Sequence, residues 1–403
     1  MDKYARSLAG QGQKISPEDS DYKEKLIHVV QSFRTFDVAL DDFILHHVYT
    51  GEISEIDGKI RFIKAKFNEV GIPLDTRGPK SWYRSHTQAD KREIAFQFCF
   101  AFHLTFNETE DFFRRVYLQR GIDCHSIPEA VYYYCIRHGL GYGDAQELIR
   151  KAEPESGKNS ISSDEEILYT ASIIHELNRF QTQEELLAYL RSNKEQFGYN
   201  NASARKKIKE MWGKITGDEG MAYREACRRY PEKYKVYKQR SVWDIYQQIF
   251  GMIDFDWEDD SRLFAMKGDR TFKPILKNNS LIHPIARNAF PDRQGLERIM
   301  KGEWQSDEVV RKTIILLAFY CFWTERLLKC KDFEYRSRAT EAGGCVSDIN
   351  KKLSESMYPA LYEGNPYDWI FLFAAQDEYP MDAFRFFMRE VYLDKEEAEA
   401  WLQ

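Results

Sequence analysis

Apolar side chains recur at three- and four-residue spacing along nearly the whole sequence, and very little interrupts them. Between residues 22 and 49 the series is Leu26, Val29, Val30, Phe33, Phe36, Val38, Leu40, Phe43, Ile44 and Val48. A second run from Ile53 to Val70 stops at Gly71 and Pro73, the punctuation that ends a helix. Only 12 Pro and 22 Gly occur in 403 residues, so the sequence has few of the breakers that turn a chain into short strands. Helical spacing of this kind implies amphipathic helices packed on one another, an all-α, multi-helical fold.

Further helices are expected at 89–103, 108–118, 128–138 and 143–152, with Asn107 and Glu110 spaced as a capping box. The polar stretch 151–166, KAEPESGKNSISSDEE, reads as a linker. Beyond it, helices fall near 164–178, 182–192, 202–215, 221–230 and 240–251, and 260–280 reads as a hairpin or long loop. The expected organisation is an N-terminal helical domain (1–153), a basic helical middle segment (163–250) and a C-terminal helical domain (251–403).

The two ends correspond to each other. Pro128 opens PEAVYYYCI and leads to Asp144–Ala145, while Pro366 opens PYDWIFLFA and leads to Asp382–Ala383, with 16 residues from Pro to Asp in both. Upstream, KREIAFQFCFAF from Lys91 parallels RKTIILLAFYCF from Arg311. Two copies of one helical unit flanking a middle segment account for this pattern. The aromatic excess, 27 Phe, 24 Tyr and 8 Trp, falls largely in these runs. At helical spacing such side chains are core material.

Residues 286–303 read ARNAFPDRQGLERIMKGE, which resembles the second and third helices of the Cro/repressor-type (XRE) helix-turn-helix family. In that resemblance Ala286 and Ala289 sit where the helices cross, Asp292 caps the recognition helix, and Leu296 and Ile299 enter the small core. Lys301–Gly302–Glu303 ends the helix, and Ser306 caps the next one. A more degenerate copy lies near 78–120, around Lys80–Ser81–Trp82–Tyr83–Arg84–Ser85. The resemblance implies base contacts from Arg293, Gln294 and Arg298. The sequence departs from the family at Phe290 and Pro291, which replace the turn glycine, and at Pro284 inside the second helix. The alternative is a packing unit of helix-turn-helix descent that touches no DNA. Both ends also look like helical proteins of bacterial mobile elements, a likeness that assigns no chemistry.

Charge is unevenly spread. The chain carries a net −6, yet residues 203–243 hold twelve Lys and Arg against five acids, a net of +7. Among the cations are Arg205, Lys206, Lys207, Lys209, Arg228, Arg229, Lys233 and Lys235, interleaved with Trp212, Tyr223, Tyr230, Tyr234, Tyr237 and Trp243. Cations beside aromatic rings suit a phosphate backbone and unstacked bases. Snorkelling Lys and Arg over core aromatics give the same pattern, as does a surface that docks an acidic protein.

Catalytic signatures are few. His175–Glu176 begins a zincin motif, but Arg179 stands where its second His is required. Cys99, His103, Cys124 and His125 have unconventional spacing for zinc, and the acidic run 254–260 lacks an EF-hand's Gly and Glu. No metal or cofactor is expected. Arg120 and His125 have the Arg-x4-His spacing of the HEPN ribonucleases of phage defence, in which Arg stabilises phosphate charge and His moves the proton. Gly121 and Pro128 place that motif in a loop here. Seven cysteines without a Cys-x-x-Cys pair imply reduced, largely buried thiols and a cytoplasmic protein. The absence of an apolar run of about 18 residues implies no membrane partner, and residues 1–25 lack a signal peptide's apolar core. The reading is a non-catalytic cytoplasmic regulator that binds nucleic acid, a protein, or both. A HEPN-like nuclease and a pure protein-interaction scaffold or inhibitor are the alternatives.

Overall fold

The computed structural model describes residues 3–12, 14–16, 19–85, 91–119, 121–122, 124, 126–152, 170–193, 197, 202–217, 219–229, 245, 248–249, 293–301, 303, 305–330, 335–356 and 358–385. Among these residues the regular structure is helical and contains no strand. The fold is all-α and multi-helical, as the periodicity requires.

The chain divides into two units, residues 34–200 and residues 1–33 together with 201–403. This differs from three consecutive segments: the division at 200/201 cuts the basic middle segment, and the first 33 residues join the C-terminal part. Burial is the reason. Leu8, Tyr22, Val29 and Phe33 belong to the same apolar core as Ile314, Trp369 and Phe384. The Trp369 indole N–H donates to the Leu8 carbonyl at 3.3 Å, and the Phe33 ring meets Trp369 edge-on with centroids 5.5 Å apart.

The unit of residues 34–200 contains α3 (Phe36–His46), α4 (Ile56–Glu69), α5 (Arg77–Arg84), α6 (Arg92–Ala101), α7 (Phe106–Arg115), α8 (Ile127–His138), α9 (Tyr142–Ala152), α10 (Thr170–Leu177) and α11 (Gln183–Ser192). Helix α4 ends as its sequence requires, with Gly71 in the left-handed region at φ +72. Helix α7 starts two residues earlier than the Asn107–Glu110 pattern predicts. Thr105, extended at φ −65 and ψ 167, forms the capping box with Glu108. Asn107 is therefore already helical, and Glu110 is released to accept the Ile122 amide at 3.1 Å. The apolar faces of α6, α7 and α8 close on one another, burying Phe96, Phe98, Phe112, Phe113, Tyr132 and Tyr133.

The other unit contains α1 (Lys3–Gly12), α2 (Tyr22–Gln31), α12 (Ala202–Thr216), α13 (Met221–Arg229), α14 (Arg293–Lys301), α15 (Asp307–Lys329), α16 (Ala339–Glu355) and α17 (Pro366–Ala375). Its centre is α15, against which α12, α13, α14, α16 and α17 all pack. That explains why α15 is buried without interruption from Val310 to Tyr320. Asn365 caps α17, its side chain accepting from the amides of Tyr367 and Asp368, with Pro366 opening the first turn.

In each unit an arginine–carboxylate pair joins the helices that carry the runs aligned in the sequence. In the first, Arg92 of α6 donates through Nε to Glu129 of α8 at 2.7 Å. In the second, Arg311 of α15 grips Asp368 of α17 with both terminal nitrogens, at 2.8 and 2.7 Å. Each partner in the second unit is displaced by one residue from its counterpart in the sequence correspondence. Burial pulls the Arg311 guanidinium down, and the Asp368 carboxylate more than restores it, so the guanidinium stays charged inside the core.

Candidate nucleic-acid interface

The basic segment is first of all a structural element. On α12, Ala204, Ile208, Met211, Trp212 and Ile215 are buried, an apolar stripe at helical spacing that seats the helix on α15. Trp212 is core, which corrects its reading as a stacking platform. Tyr223 is half-buried on α13, while Tyr230, Tyr234, Tyr237 and Trp243 lie outside the described residues.

The flanks of α12 are tied down by two of the predicted contact residues. Arg205 is half-buried, and its Nη2 donates to the Glu303 carbonyl just past α14 at 2.8 Å; burial lowers the pKa of its guanidinium. Lys207 pairs with Glu355 at the end of α16. Successive helix residues are turned by about 100°, so Lys206 stands on the crest between these flanks. It is exposed, as are Lys209 and Lys214.

Glu225, counted in the sequence among the acids that offset the segment's charge, is withdrawn from the surface. It is fully buried. There it accepts from Arg385 Nη1 at 2.7 Å, from the Tyr320 hydroxyl at 2.6 Å and from Gln248 Nε2 at 3.0 Å. Burial and the adjacent carboxylate push the Tyr320 hydroxyl far up, so it remains a donor. Nothing in the sequence marks Glu225 and Arg385 as partners, since 160 positions separate them.

The remaining predicted residues divide clearly. Arg228 is exposed on α13, and its Nη1 donates to the Cys330 carbonyl at 2.8 Å. Arg298 is exposed on α14 and lies 3.9 Å from the Glu303 carboxylate. Arg229 lies on α13, and Arg293 and Gln294 lie in the first turn of α14, without described side chains. Lys233 and Lys235 lie outside the described residues, as do Arg120 and His125 of the nuclease alternative. The 254–260 run, Ala286 and Ala289, and Asp292 lie outside them too.

Lys301, which the sequence places in a helix-ending turn and not among the contact residues, ends α14 and is exposed. Helix α14 packs on both α12 and α15, its Leu296 and Ile299 buried. The Glu303 amide closes back on the Arg298 carbonyl at 2.8 Å, and the Ser306 side chain accepts from the Val309 amide to start α15. The described parts, 205–214 and 293–301, of the two stretches proposed separately from sequence are thus neighbours.

The surface lysines of this unit are of two kinds. Lys207, Lys329, Lys351 and Lys352 each lie within ion-pair distance of a carboxylate. Lys206, Lys209, Lys214 and Lys301, like Lys14 elsewhere in the unit, have no carboxylate partner among the described residues.

Elsewhere, the groups weighed for chemistry are dispersed. Cys99 is buried in α6, donates to the Ala95 carbonyl and is pushed up to about 12 by burial. His103 lies beyond the helix end, exposed, at φ +50, so the two do not share a helix face. Arg179 pairs with Glu176. Among the described residues, no group of three or more His, Cys, Asp and Glu is placed to hold a metal ion. No helix there is long and apolar enough to cross a membrane. No family model, curated protein or solved structure matches this chain.

Proposed function

We propose that the chain is a non-catalytic interaction protein that binds nucleic acid through the outward crest of α12. The observation that carries this reading is the exposure of Lys206 and Lys209 without carboxylate partners, beside lysines that are paired. Uncompensated surface cations repel one another and add little to folding; they suit a polyanion whose counterions they displace. We also read α14 and α15 as helix-turn-helix-derived, which the burial of Leu296 and Ile299 and the Ser306 cap support. The seven free thiols support a reducing, cytoplasmic setting.

The test is fluorescence anisotropy with labelled duplex DNA, single-stranded DNA and RNA across a salt series. The full chain binds at least one of them at low salt, and binding weakens as salt rises. Lys206→Glu with Lys209→Glu lowers that affinity roughly tenfold or more. Absence of binding to all three at low salt, or an unchanged affinity in the double variant, refutes the proposal.

A further inference from the structure

We infer that the ligand is a nucleic-acid duplex, gripped by its phosphate backbone without regard to sequence, on a patch that α12 and α14 build jointly. This rests on the reading just given and names the form of nucleic acid and the second element that holds it.

The joint patch follows from helix geometry. Arg205 points to the α14 flank, since it donates to the Glu303 carbonyl, and Lys207 points to the opposite, α16 flank. Lys209 is three residues after Lys206, a turn of about 300°, which sets it on the shoulder between the crest and Arg205. Lys209 therefore lies on the side of α12 that adjoins α14, with Lys206 beside it on the crest. Lys301 stands two residues before Glu303, whose carbonyl accepts that hydrogen bond. The axial rise from Lys206 to Lys209 is ~4.5 Å, and a duplex carries one charge per ~1.7 Å of axis, so successive lysines meet separate phosphates.

A duplex is favoured over a single strand because no ring is offered on α12. Its outward positions are Ser203, Lys206, Lys209, Glu210, Gly213 and Lys214, and its one aromatic, Trp212, is buried. Single-strand binding draws ~1–3 kcal/mol per base from stacking on exposed aromatics, which this surface does not provide. An acidic protein is disfavoured on related grounds, because protein interfaces centre on buried aromatic or apolar anchors. The exposed large hydrophobics among the described residues are Val38, Leu45, Val48 and Tyr379, none of them on α12 or α14. Lysine, a point charge on a flexible stem, lacks arginine's rigid bidentate fork and meets phosphates as a charge.

The experiment measures binding of the full chain to two duplexes of unrelated sequence, a single-stranded DNA, an RNA strand and polyglutamate, each across about 50–200 mM salt. Lys206→Gln, Lys209→Gln and Lys301→Gln are compared with the parent, singly and together, with circular dichroism confirming the fold. The two duplexes bind equally within about twofold and more tightly than either single strand. Each substitution lowers the salt slope for duplex by about 0.9, and the triple variant loses about 40-fold of the salt sensitivity over that range.

A tighter single strand, a tenfold difference between the duplexes, or an unchanged slope in Lys301→Gln overturns this inference and leaves nucleic-acid binding by α12 standing. Binding to polyglutamate alone, or to nothing at low salt, overturns both.

Discussion

Glu225→Ala tests whether the basic segment is anchored as described. The carboxylate is fully buried with three donors on it, from Arg385, Tyr320 and Gln248. Removing it leaves the Arg385 guanidinium, itself buried, without its counter-ion. Losing one partner of a buried pair costs ~3–5 kcal/mol, mostly the desolvation of the stranded charge. With a urea m-value of ~3 kcal/mol/M, that moves the midpoint down by roughly 1–1.7 M. Seven of the eight tryptophans, all but Trp82, belong to the unit that contains Glu225, so intrinsic fluorescence reports its unfolding. Glu225→Met with Arg385→Met removes both charges and recovers at least half of the loss, because apolar residues of similar volume replace a buried pair at little cost. A midpoint shift below about 0.2 M for Glu225→Ala would refute the reasoning. So would a double variant as unstable as the sum of the two single ones, since coupled charges cannot behave additively.

Two further predictions concern the unit of residues 34–200. Val48 occupies the left-handed position after α3 at φ +68 and is exposed, while the Tyr49 amide closes on the Ile44 carbonyl at 3.0 Å. A β-branched residue costs ~1–2 kcal/mol in that conformation, partly offset by the extra backbone entropy of an unfolded Gly. Val48→Gly accordingly stabilises by about 0.5–1 kcal/mol and raises Tm by ~2 °C; a lower Tm would contradict the strain argument. Glu110 is raised by burial, an effect that the Ile122 amide and Arg92 oppose and Glu129 and Asp111 reinforce. A carboxyl raised in the folded state contributes stability only while protonated, and that contribution is lost as pH climbs through its folded value. Glu110→Gln, neutral and still able to accept from Ile122, therefore raises Tm at neutral pH. The gain shrinks towards about pH 4; a gain constant with pH would exclude ionisation as its cause.

What the sequence makes legible here is periodicity, and what it hides is pairing over distance. Helix α12 is expected at 202–215 and found at Ala202–Thr216, because its apolar residues fall on one face whatever they meet. Gly71 and Pro73 mark the end of α4 for the same local reason. The capping box of α7 falls at Thr105–Glu108 and not at the expected Asn107–Glu110, although both have the required spacing. It is decided by Glu110, which a tertiary contact with the Ile122 amide holds in place. No such local pattern assigns residues 1–33 to the core around Trp369, or pairs Glu225 with Arg385.

The same distinction applies to the interface. Charge density identifies residues 203–243, but it treats every cation alike. Only the fold separates Arg205, Lys207 and Arg228, which are bonded within the chain, from Lys206 and Lys209, which project from the crest. It also adds Lys301 from a helix some ninety residues away. A basic segment read from sequence is thus a mixture of fastenings and contacts. Glutamine at Arg205 should act on stability, whereas glutamine at Lys206 should act on binding and leave the melting temperature where it was.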